Sequence, residues 1–73
     1  MKKVNVFELS PRYDSRKSFY GKAHVIDYGG GYMELKSYET IVSFVDNGKV
    51  THKGSYSVTT SRHQKEFERQ FSY

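Results

Sequence analysis

Tyr56-Ser57-Val58-Thr59-Thr60-Ser61-Arg62-His63-Gln64-Lys65-Glu66-Phe67-Glu68-Arg69-Gln70-Phe71 is the stretch in which the patterning of the chain changes period. Before it, apolar residues recur every second position, as on a half-buried strand; within it, His63, Phe67 and Phe71 recur at helical spacing. Thr59, Thr60 and Ser61 are hydroxyl residues that favour helix starts, and Ser61 followed at the third place by Gln64 fits a capping box, so a helix is expected to begin there. On that helix Arg62, Glu66 and Arg69 share a second, solvated face and pair with one another. The apolar face is expected to lie on a sheet through Phe67 and Phe71.

The sheet is read backwards from this point. Val50 to Val58 alternates, with Val50, His52, Gly54, Tyr56 and Val58 on one side, and Gly54 marks a bulge or an edge. Asp46-Asn47-Gly48-Lys49 holds the Asn-Gly pair of a two-residue hairpin. Thr40 to Val45 carries apolar groups on both faces, Ile41 and Val45 on one and Val42 and Phe44 on the other, which predicts a central strand covered on both sides. Tyr32 to Tyr38 and Phe19 to Tyr28 alternate on either side of Gly29-Gly30-Gly31, a second hairpin. These glycines lead into a strand and not a helix, which argues against a phosphate-cradling loop. Val4 to Leu9 forms a first strand, stopped at Ser10-Pro11, and residues 10–17 are turn-rich and aperiodic, the pattern of a mobile loop. The expected fold is α+β: an antiparallel sheet of four to five strands with one C-terminal helix packed on one face, in a single small domain spanning residues 1–73.

Composition bounds the function classes. A chain of 73 residues has room for one core, and with no cysteine it has neither disulfides nor a thiolate zinc site to reinforce it. Seven Tyr and five Phe offer large burial per residue instead. No apolar run is long enough for a signal peptide or a membrane span, so a cytoplasmic location without membrane association is the expectation. The net charge of +4 lies entirely in residues 1–24, which hold six cations and two acids. Such a patch serves either phosphate backbones or an acidic protein surface.

Ser18-Phe19-Tyr20-Gly21-Lys22-Ala23, Ser37-Tyr38-Glu39-Thr40 and the block from Tyr56 to Phe67 together resemble a family of small proteins encoded by bacteriophages and bacterial mobile elements. Its shared pattern is SFYGKA, SYxT and YSxTTxRHxxEF, and the match runs from Ser18 to Gln70. Glu68 and Arg69 stand where that pattern has a leucine, which makes this helix more polar. The resemblance implies a phage or mobile-element origin and a bacterial cytoplasm, and brings no activity, cofactor or catalytic residue with it.

The residues themselves carry no catalytic signature. His24, His52 and His63 lack metal-ligand spacing, and no serine or threonine stands beside a base oriented by a third group within the local sequence. No cofactor is expected. Arg12, Tyr13, Arg16, Lys17, Tyr20 and Lys22, together with Arg62 and His63 at the expected helix start, form the candidate binding surface. Tyrosine and arginine in this proportion mark protein-binding hot spots. The reading is therefore a non-enzymatic module that binds a host, defence or phage protein, or a second copy of itself. The alternative is nucleic-acid binding, in which rings stack on bases and cations track phosphates.

Overall fold

The computed structural model describes residues 4–15 and 18–72. Five antiparallel strands, β1 (Asn5–Glu8), β2 (Ala23–Gly29), β3 (Tyr32–Ser37), β4 (Thr40–Asp46) and β5 (Lys49–His52), form a meander in the order β1-β2-β3-β4-β5, followed by α1 (Val58–Phe71). Each strand pairs with its sequence neighbour, and apart from residues 9–22 between β1 and β2 the connections are short; the fold is α+β, with one helix on one face of the sheet. Both hairpins are where the glycines put them. Asn47 and Gly48 turn with φ of 50° and 84°, while Gly31 at 87° lies against Asn47, whose Oδ1 would be 2.6 Å from an added Cβ.

The covered face is built from alternate residues. Leu9, Ala23, Val25, Leu35, Val42 and Val45 are buried, and Phe67 from α1 closes over them at 0 % exposure. Phe71 packs beside it at 5.3 Å between ring centroids and meets Phe7 of β1 at 6.4 Å. Burying one such phenylalanine contributes roughly 1.5–3 kcal/mol, a large share of what a core of this size supplies.

Five elements differ from the expectation. Val42 and Val45 are both buried although three positions separate them, because β4 carries a register shift opposite Leu35 and Lys36. The apolar character on both sides of β4 is a bulge and not a second cover. The carbonyl that the bulge leaves outside the ladder accepts the Lys53 N–H at 2.8 Å and Gln64 Nε2 at 3.1 Å. The fifth strand ends at His52 and not at Val58, since residues 53–57 leave the sheet to reach the helix; β5 is an edge strand, and Gly54, read as a bulge or an edge within it, lies beyond its end.

The helix starts one turn early. Ser57, extended at φ −66° and ψ 166°, is its N-cap, and its Oγ accepts the Thr60 N–H. Gln64, assigned to a capping box, is instead spent on the Val42 and Gly54 carbonyls. Phe19 to Lys22 belongs to a turn and not to β2, closed by the Lys22 N–H on the Phe19 carbonyl at 3.0 Å.

The fifth difference concerns the loop expected over residues 10–17, of which residues 10–15 are described. Far from lying loose, the backbone N–H groups of Arg12, Tyr13 and Asp14 all donate to the Glu66 carboxylate, each at 3.0 Å. Glu66 is 2 % exposed and also accepts from Gln70 Nε2 at 2.6 Å. It does not share a solvated face with Arg62 and Arg69. Burial alone would raise its pKa, but four donors to the charged form hold it below the usual glutamate value.

Candidate functional site

Two turns and one helix face frame a cleft of about 200 Å³. The first turn, Phe19 to Lys22, places Tyr20 at φ 55°; the second, between β3 and β4, places Tyr38 at φ 56°. Gly, Asn or Asp is the unstrained choice in this left-handed region, where a bulky residue costs roughly 1 kcal/mol or more. Both turns are nonetheless held firmly. Tyr20 N–H donates to Ser18 Oγ at 2.9 Å, Gly21 N–H to the Glu8 carboxylate at 3.1 Å, and Tyr38 N–H joins the two turns through the Lys22 carbonyl at 2.7 Å. The strained tyrosines do not pack inward: Tyr20 is 75 % exposed and Tyr38 46 %.

The inner wall is His63, from the second turn of α1. Its ring is fully buried, edge-on to Phe19 at 4.6 Å, and Nδ1 lies 2.8 Å from Ser37 Oγ. Ser37 Oγ lies 2.9 Å from Thr60 Oγ1, which in turn accepts from Ser57 Oγ at 3.3 Å. The direction that gives each of the three hydroxyl hydrogens an acceptor runs Ser57 to Thr60 to Ser37 to His63 Nδ1, and in that assignment the imidazole hydrogen is on Nε2. Among the described residues Nε2 has no hydrogen-bond partner. Burial, with Lys22 nearby, lowers the His63 pKa against the opposing charge of Asp14, so the ring is a neutral donor near pH 7.

Positive charge sits at the rim. Lys22 Nζ stands 5.7 Å from the Tyr38 ring centre, and Arg62 pairs with Asp14 at 3.3 Å. Of the residues expected to form a binding surface, Tyr20, Lys22, Arg62 and His63 are brought together here. Arg12 and Tyr13 line a separate depression with Phe7, Gln70 and Phe71, and Tyr13 also meets Arg62 in a pocket with Asp14, Lys65 and Arg69. Arg16 and Lys17 fall outside the described residues. Arg62 and His63 do not stand at the helix start with Thr59, Thr60 and Ser61 as expected, because the helix is capped at Ser57. The hydroxyls lie within the first turn, where the Thr60 and Ser61 N–H groups are taken by Ser57. Tyr38 and Ser37 were not among the expected binding residues, and Thr60 was expected only at the helix start. Tyr38 had a usable signal, a tyrosine at a hairpin position that calls for glycine or asparagine.

The family of unknown function DUF8033 matches residues 7–73 of the chain. The chain belongs to that family. No curated protein and no solved structure matches it.

In this DUF8033 member a second polar line crosses the helix–sheet junction. Ser43 Oγ lies 2.7 Å from His52 Nδ1, and His52 Nε2 lies 2.7 Å from Glu68 Oε1. A serine, an imidazole and a carboxylate in series have the connectivity of a nucleophile, base and orienting group, assembled across the fold where no local sequence shows it. Ser43 is 0 % exposed, and the line ties β4, β5 and α1 together. No group of three or more His, Cys, Asp or Glu among the described residues is placed to hold a metal ion. No helix among them is long and apolar enough to cross a membrane.

Proposed function

We propose that the chain is a non-enzymatic docking protein of a phage or mobile element, acting in a bacterial cytoplasm on a host, defence or phage protein or on a second copy of itself. The phage origin rests on the motif resemblance at Ser18–Ala23, Ser37–Thr40 and Tyr56–Phe67. The docking reading rests on one observation, that Tyr20 and Tyr38 are both held at positive φ and both exposed beside the same cleft. Backbone strain at surface residues that contribute little to the core is a mark of sites kept for binding. Tyrosine with arginine is the composition that dominates protein-binding hot spots.

Nucleic-acid binding is the second reading, favoured by Lys22 standing over the Tyr38 ring, an arrangement suited to a stacked base with its phosphate. The engagement of Arg62 by Asp14 argues against it, because a phosphate contact would have to compete with that carboxylate.

Capture of a partner from bacterial lysate with the wild-type chain and with Tyr20→Asn tests the docking reading. The partner is expected to be retained by the first and lost by the second. Retention by both moves the docking surface away from Tyr20, and capture of nothing by the wild-type chain removes the docking reading. Titration of short DNA and RNA at increasing salt tests the second: tight binding that falls steeply with salt would replace protein docking as the better reading.

A further inference from the structure

The cleft wall contains a buried donor with no acceptor. The assignment that gives every hydrogen of the Ser57–Thr60–Ser37 line an acceptor puts the His63 hydrogen on Nε2, and among the described residues that nitrogen bonds to nothing. Unsatisfied buried N–H groups are rare in native proteins, and an oxygen brought from outside is the natural complement. Nε2 is recessed, so seating an oxygen on it calls for a side-chain shift at the rim, where Lys22 and Tyr38 both stand on turns.

The charge at the rim limits what that oxygen belongs to. Arg62 is already matched by Asp14, which leaves Lys22 as the cation of the cleft whose charge is not answered by a carboxylate among the described residues. One positive charge and one neutral N–H suit a singly charged oxyanion better than a doubly charged phosphate. We propose that the cleft is a carboxylate-binding subsite: an acidic side chain or a terminal carboxylate of a protein partner accepts from His63 Nε2–H and pairs with Lys22, between the rings of Tyr20 and Tyr38. The proposal rests on the protein-docking reading and names the chemistry that the partner presents.

The test is a titration of the full chain, labelled at histidine, followed through the His63 Nε2–H resonance. The probes are N-acetyl-glutamate N-methylamide for an internal acid, N-acetyl-alanine for a terminal carboxylate, N-acetyl-glutamine N-methylamide as neutral control, and inorganic phosphate. A carboxylate probe is expected to shift the resonance saturably while the control does not, and the stronger of the two carboxylates identifies the source. Lys22→Gln, a change at an exposed position that leaves the fold intact, is expected to weaken that binding about tenfold. Two results overturn the proposal. Phosphate shifting the resonance at lower concentration than either carboxylate reassigns the cleft, and a resonance that no probe moves means that Nε2–H is satisfied by the face of Phe19. In either case loss of partner capture in Tyr20→Asn still upholds docking, so the two readings fail separately.

Discussion

Tyr13 and Glu66, 53 residues apart, are joined by backbone: the Tyr13 N–H donates to both Glu66 oxygens, at 3.0 and 3.3 Å. With Arg12 and Asp14 donating to the same carboxylate, a charged side chain of the helix substitutes for the strand partner that this loop lacks. Asp14, held in this way, is in place to meet Arg62 at the cleft. The loop clamp and the cleft are therefore mechanically connected.

Glu66→Gln is expected to destabilise the fold by about 2–3 kcal/mol, since an amide offers one acceptor oxygen where two are used and turns its own NH₂ toward the loop donors. Urea unfolding followed by tyrosine fluorescence measures this. A change within about 0.5 kcal/mol, the range of an ordinary surface substitution, would show that the clamp contributes nothing.

Acid should unfold the protein in two stages. The folded-state pKa of His63 is depressed below its ordinary 6.5, so its neutral form contributes stability above that value, and the contribution fades as pH falls below it. Glu66, also depressed, from 4.5, contributes fully above that value and loses its share as pH drops further, through the folded pKa. Melting temperatures between pH 8 and 3 are expected to decline first below about 6.5 and then more steeply below about 4.5. Glu66→Gln should abolish the second decline and leave the first.

Most of the sheet was readable because its information is local. The alternation of Tyr32 to Tyr38 and the Asn47-Gly48 pair act on neighbours one and two residues away. The helix start was misplaced by one turn because Ser57 and Ser61 are equally competent caps, and the choice is made by Thr60, whose hydroxyl reaches Ser37 on β3. Glu66 was assigned to solvent because helical spacing places it near Arg62 and Arg69, while its real partners are loop N–H groups more than 50 positions away. The cleft was half legible. Tyr20, Lys22, Arg62 and His63 stood out by type, but no pattern in the chain shows that Tyr38 completes the cleft or that His63 turns its free nitrogen away from Ser37.

Ser37→Ala removes the central oxygen of the hydroxyl line and leaves Thr60 and His63 Nδ1 without it. A loss of about 1–3 kcal/mol is expected, the penalty of buried polar groups left unmatched. The variant should also release the His63 tautomer. Nitrogen chemical shifts of the ring are expected to move from the pattern of an Nε2–H imidazole toward a mixture, and an unchanged pattern would show that the line does not set the proton.

The central claim is that the cleft tyrosines are kept for binding although they weaken the fold, and Tyr20→Asn tests it most directly. Thermal melting and partner capture are measured on the same preparation. Asparagine tolerates φ 55° where tyrosine is strained, so the variant is expected to be more stable by about 0.5–1 kcal/mol while it no longer retains the partner. A variant that is less stable, or one that binds as the wild type does, contradicts the account.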